Sequence, residues 1–165
     1  MVIVDVVRML TLLIIFHSQS GRNEALALRC YEKAKQQAAE AESAIGVKLR
    51  RAFDCSLDEF NDADFILFIT PENFAAIAGG MKDFFDRTFY PAERLGVQAK
   101  SYCCIIDCGN DGSQTALQIE KIMKGLHSTP AQPPLILYGE PNEASFQAVD
   151  ELTEALVCAI EMGVY

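Results

Sequence analysis

The chain has 165 residues, half of them hydrophobic, and its 14 basic and 23 acidic side chains give a formal charge of −9. That length supports one hydrophobic core without metal or disulfide staples, which excludes a disordered chain and predicts a single domain over residues 1–165. The acidic balance repels phosphodiester backbones, and the short basic cluster of Lys48, Arg50 and Arg51 reads as a solvated strand and loop, so no nucleic-acid partner is expected.

Residues 1–8 are strand-like in Val2, Ile3, Val4, Val6 and Val7, ahead of a strand that needs no extension. The apolar run 9–16 behind Arg8 has the look of a secretory core. Asp5 sits in the would-be basic region, however, and the run is too short to span a bilayer. A cytoplasmic protein with no membrane partner is the expectation.

Strand-length apolar runs then alternate with segments of helical period. Residues 12–16 read as a buried strand and 23–43 as a helix, with Leu28, Tyr31, Ala34, Ala38 and Ala41 opposite Glu32, Lys33, Gln36 and Glu40. Strands follow at 47–53 and 64–70, a helix at 78–87, a strand within 100–108, a helix at 113–125, a strand at 134–138 and a closing helix at 144–161. Cys30, Cys103, Cys104 and Cys158 fall within these apolar periods and read as small core residues. With no C-x-x-C and only two histidines, no metal site is expected. Runs that are continuously apolar rather than alternating predict an α/β fold in which a five-stranded parallel sheet is covered by helices on both faces. In such sheets ligands bind beyond the carboxyl ends of the strands.

Three loops lie at those ends. The first, His17, Ser18, Gln19, Ser20, Gly21, Arg22 and Asn23, combines hydroxyls, a turn glycine and a helix start, which suits an anion; Ser20 as a simple helix cap explains it equally well. It lacks the lysine of a nucleotide P-loop and the glycines of a dinucleotide fingerprint. The second begins Pro71, Glu72, Asn73 and Phe74, and the third Gly109, Asn110 and Asp111, each readable singly as an ordinary turn. Their convergence on one rim favours a site.

Taken together, Ser18-x-Ser20-Gly21-x-Asn23, the stretch from Thr70-Pro71-Glu72-Asn73-Phe74 through Gly80-Met81-Lys82-Asp83-Phe84-Phe85-Asp86-Arg87, and Gly109-Asn110-Asp111-Gly112 resemble the flavodoxin-like family, in particular its small FMN-dependent NAD(P)H:quinone reductases and FMN reductases. The resemblance implies a flavodoxin-like three-layer sandwich with strand order 2-1-3-4-5. It also implies FMN as cofactor, with Ser18, Gln19, Ser20, Gly21, Arg22 and Asn23 around the phosphate and Pro71, Glu72, Asn73, Phe74, Gly109, Asn110 and Asp111 flanking the ring. Phe74 is the natural stacking residue, and Tyr90 and Tyr138 are weaker ones. NAD(P)H would be the electron donor and a quinone or similar small molecule the acceptor, with no side chain required as acid or base. A homodimer or homotetramer is commonly seen in such reductases. Where the family usually places glycine after the aromatic residue, this chain has Ala75, which fits if the backbone there needs no positive φ. Two other readings remain: an electron carrier whose acidic face docks on a basic redox protein, and a flavodoxin-like domain that no longer binds flavin.

Overall fold

The computed structural model describes residues 8–97 and 99–164, so the strand-like segment 2–7 lies outside the described residues. In chain order the elements are β1 (Leu10–Phe16), α1 (Arg22–Glu40), β2 (Ile45–Arg51), α2 (Leu57–Asp62), β3 (Phe65–Asn73), β4 (Ala76–Ile77), α3 (Gly79–Leu95), β5 (Ser101–Cys108), α4 (Ser113–Gly125), β6 (Thr129–Pro130), β7 (Leu135–Tyr138) and α5 (Glu143–Met162).

The main sheet runs β2-β1-β3-β5-β6 in parallel, and β7 also pairs with β5. This is the flavodoxin-like order expected, with the fifth strand divided in two: β6 lies beside Ser101 and Tyr102, and β7 beside the run from Ile105 to Cys108. Between them Pro133 and Pro134 have no N–H to give a ladder. Side chains alternate between two cores. Leu13, Ile15, Ile66, Phe68, Tyr102, Cys104 and Ile106 pack with α2, α3 and α4. Leu12, Ile14, Phe16, Phe65, Leu67, Ile69, Cys103 and Ile105 pack with α1 and α5. A central strand buried on both faces favours apolar side chains at nearly every position, hence its near-continuous hydrophobicity.

Three boundaries differ from expectation for identifiable reasons. α2 is absent from the periodicity because it has only six residues, yet Ser56 and Glu59 form a complete capping box at its start. α3 continues through Pro91 to Leu95 and ends at Gly96 in the left-handed region, so the proline reads as a stop in sequence but sits inside the helix. β3 extends to Asn73 and folds back as the antiparallel strand β4, an element no parallel-sheet reading supplies. All six cysteines are free thiols, and Cys158 alone is not fully buried.

Candidate functional site

The loops after β1, β3, β5 and β7 meet at one rim. In the first, His17 N donates to Ile69 O at 3.0 Å, and Gly21 N donates to Ser18 Oγ at 3.0 Å. Gly21 itself is the N-cap of α1, with φ 92° and no side-chain cap, while Ser20 stays exposed. The reading of Ser20 as helix cap is therefore corrected. α2 and α5 carry side-chain caps from Ser56 and Asn142; α1 leaves its first N–H groups for another acceptor, and a helix start of this kind favours an anion. Behind the loop, the His17 ring fills the space where a Cβ on Gly80 would stand, 2.1 Å from Nδ1, and meets Phe53 edge-on at 5.6 Å. Burial holds its pKa below the usual histidine value, so the imidazole is neutral.

The second loop is a β-hairpin. Glu72 pairs with Ile77 and Asn73 with Ala76, which leaves Phe74 and Ala75 as a two-residue turn with φ of 53° and 56°. Positive φ at both positions is what a type I′ turn requires, and Asn-Gly is its usual sequence. The condition set for Ala75, a backbone without positive φ, is therefore not met: Ala75 holds φ 56° in a turn whose twist matches that of its strands. Phe74 is fully exposed at the tip. Pro71 is buried within β3 at a point where pairing with β1 has already stopped at Ile69, so its missing N–H costs no ladder bond.

Hydrogen bonds tie the loops together. Asn73 Nδ2 donates to Gln19 Oε1 at 2.8 Å, joining the first loop to the hairpin. Glu72 reaches across to the start of α4, where Oε1 accepts from Gly112 N at 3.1 Å and Oε2 accepts from Thr115 N at 3.2 Å and Thr115 Oγ1 at 3.1 Å. α4 has no cap of its own, so a carboxylate from β3 serves as one. Glu72, expected beside a ring, is committed to this clasp. In the third loop Gly109, Asn110 and Asp111 are exposed; the Asp111 carboxylate accepts from the Ser113 hydroxyl, and Asp111 O accepts from Tyr138 Oη at 3.4 Å.

Beneath these loops lies a polar group that the expectations omitted. Asp107, the next-to-last residue of β5, is 1 % exposed, with Arg22 Nε 3.1 Å and Asn23 Nδ2 3.3 Å from its Oδ2. Arg22 also meets Glu140 at 3.0 Å. Its guanidinium, expected on a phosphate, is held by two carboxylates. Desolvation pushes the Asp107 pKa up, and Arg22 and Asn23 partly restore the charged form. The sequence signal was available: Asp107 is a lone acid in an otherwise apolar strand.

Two buried acceptors here, Asn23 Oδ1 and Asp107 Oδ1, have no donor among the described residues. Since buried acceptors are normally paired, they suit a ligand that supplies hydroxyl donors. The uncapped start of α1 and the free Ser20 hydroxyl suit its phosphate, and Phe74 offers an aromatic face. The residues present therefore fit FMN, which has a phosphate, a polyol chain and a planar ring.

The fold is similar to a flavodoxin from the domain Archaea, at 18% identity over 92% of this chain and 99% of that one, TM-score 0.77. It is likewise similar to a flavodoxin, WrbA-like protein from Agrobacterium tumefaciens at 14% identity, covering 90% and 96% of the two chains, TM-score 0.72. It also resembles rubredoxin oxygen:oxidoreductase from Desulfovibrio gigas at 15% identity, where 92% of this chain matches 36% of that one, TM-score 0.76. No curated protein matches the chain. Residues 10–139, which carry all three loops, match the family model for NADPH-dependent FMN reductase, and the chain belongs to that family.

Proposed function

We propose that the chain acts as a single flavodoxin-like domain that binds FMN noncovalently across the carboxyl ends of β1, β3 and β5, and that it passes electrons from NAD(P)H to a quinone or similar small acceptor. The observation that carries the reading is the pairing of an uncapped α1 start with two donorless buried acceptors, Asn23 Oδ1 and Asp107 Oδ1, in one rim. FMN, when bound, supplies the redox chemistry, and the protein's part is binding, orientation and electrostatics. Ser18, Gln19, Ser20 and Gly21, with the first N–H groups of α1, receive the phosphate. Asn23 and Asp107 take hydroxyls of the polyol chain, and Pro71, Asn73, Phe74, Gly109, Asn110 and Asp111 border the ring. Glu72 acts at one remove, by holding Gly112 and Thr115. No side chain need donate or abstract a proton. No helix among the described residues is long and apolar enough to cross a membrane, which is in keeping with work in the cytoplasm. Association as a homodimer or homotetramer, or docking with a redox protein, would bring partners to the exposed Phe74.

Visible absorbance of the purified chain titrated with FMN is the test. An oxidised-flavin spectrum saturating near one equivalent supports the reading; a chain that ignores FMN overturns it. Ser20→Asp places like charge against the phosphate and should abolish FMN binding while sparing riboflavin. Steady-state NAD(P)H consumption with a quinone then separates a reductase from an electron carrier, which would bind FMN without consuming NAD(P)H.

A further inference from the structure

A glycine at the second position of a helix calls for a reason. Gly80 stands there in α3 and is buried. Its φ is not among the positive ones, so the backbone does not require glycine, and alanine would be the better helix former. What excludes a side chain is the ring of His17. A Cβ on Gly80 would lie 2.1 Å from Nδ1, 2.5 Å from Cε1 and 2.9 Å from Cγ. The clash thus reaches the atom that joins the ring to its chain, and a flexible tip could not relieve it. Ordinary contact begins near 3.4 Å, so the ring would have to move by more than about 1 Å, twice the roughly 0.5 Å window within which a hydrogen bond keeps its length.

The ring has little room to yield. Phe53 meets it edge-on at 5.6 Å, and the loop that carries Phe53 is held from α3 by Arg87. Nη2 of that guanidinium donates to Ala52 O at 2.8 Å and to Phe53 O at 3.3 Å, and Nη1 donates to Cys55 O at 3.3 Å. The His17 backbone is fixed as well, its N donating to Ile69 O at 3.0 Å. One residue on, Ser18 Oγ accepts from Gly21 N at 3.0 Å, so the turn that opens α1 starts from a residue whose ring and backbone both have set positions. We propose that His17 and Gly80 are positioning residues for the cofactor phosphate: the imidazole, seated on bare backbone of α3, holds the loop from Ser18 to Gly21 in the shape that receives the phosphate. The inference rests on the reading of that loop as the FMN phosphate site. Neither residue acts by touching the phosphate; a side chain at position 80 would reach it only by pushing the ring, and with it the loop.

Fluorescence titrations with FMN and riboflavin on the full chain test the coupling, in the parent, Gly80→Ala, His17→Ala and the double variant. In Gly80→Ala, FMN should bind at least about fivefold more weakly, the lower end of what overpacking costs, while riboflavin, which has no phosphate, keeps its affinity. His17→Ala should also weaken FMN and spare riboflavin. Once the ring is gone, the added methyl meets open space, so Gly80→Ala in the His17→Ala background should leave FMN affinity unchanged or raise it. A further readout involves no flavin. Burial holds the His17 pKa below 6.5, and NMR titration of the ring in Gly80→Ala should show it move up toward that value as the ring leaves its seat. If Gly80→Ala does not fold, His17→Ala and the double variant decide. Equal losses for FMN and riboflavin, additive effects of the two substitutions, or a His17 pKa unmoved by Gly80→Ala overturn the proposal. A parent chain that ignores FMN overturns the functional reading and the proposal with it, whereas FMN bound equally well by the parent and by Gly80→Ala overturns the proposal alone.

Discussion

Ala75 occupies a conformation that alanine disfavours. With φ at 56° it sits in the left-handed region, where a Cβ costs roughly 1–2 kcal/mol, and the hairpin holds it there because β3 and β4 pair on either side. Ala75→Gly removes that strain and returns part of the gain as extra unfolded-chain entropy. Its expected effect is a stabilisation of about 0.5–1 kcal/mol, read from the midpoint of chemical unfolding; a destabilised variant would show that the turn is not of this type. Asp107 makes the other residue-scale prediction. Its carboxyl is raised above the ordinary value of 3.8, first by burial, so the folded state holds the proton more tightly than the unfolded chain. Stability from this group is therefore complete below about pH 3.8 and declines as pH rises through the raised folded value. An asparagine at this position would be neutral throughout, so in Asp107→Asn the stability relative to the parent should shift in the variant's favour as pH rises above 3.8. Unfolding midpoints at three pH values check the sign. These two residues also mark the limits of reading a sequence. The hydroxyl–glycine loop could be read from sequence as a candidate anion site, whereas the partners of Arg22 could not, because Asp107 and Glu140 come from elements far away in the chain and meet it only after the sheet forms.

At the scale of elements, the long strands and helices were legible because burial on both faces leaves unbroken apolar runs and helical periods. The short pieces were not. β4, β6 and the six-residue α2 are too short to carry a period, and their existence depends on neighbours: β4 on a turn, β6 on the free edge of β5. The clasp between β3 and α4 is a stronger instance of the same rule. α4 begins at Gly112 with no cap in its own sequence, and Glu72, forty residues earlier by numbering, supplies it with three hydrogen bonds. Losing a cap costs about 0.5–2 kcal/mol. Glu72→Ala is expected to cost toward the upper end of that range and to raise amide hydrogen exchange at Gly112 and Thr115 while leaving α1 protected. Glu72→Gln keeps one acceptor oxygen and should recover part of the protection. Unchanged exchange in the alanine variant would mean that α4 starts without help from β3.

For the whole molecule, a charge of −9 has to be reconciled with an anionic cofactor. The site proposed for the phosphate would attract it through a helix start and hydroxyls at contact range, where salt screens less than it does at long range. The remaining charge repels from farther away, and Arg22, the loop's own cation, is already paired with Asp107 and Glu140. Screening at about 0.15 M, where the Debye length is about 8 Å, removes much of the long-range term and little of the contact term. FMN affinity should therefore rise with ionic strength, severalfold and at most about tenfold between roughly 10 mM and 150 mM salt, whereas riboflavin, with no phosphate, should bind equally at both. A site built on a free basic cluster would behave in the opposite way and weaken as salt is added. Fluorescence titrations of both flavins at the two salt concentrations separate the cases. FMN binding that weakens with salt would place a free cation at the phosphate and contradict the pairing of Arg22 with its two carboxylates.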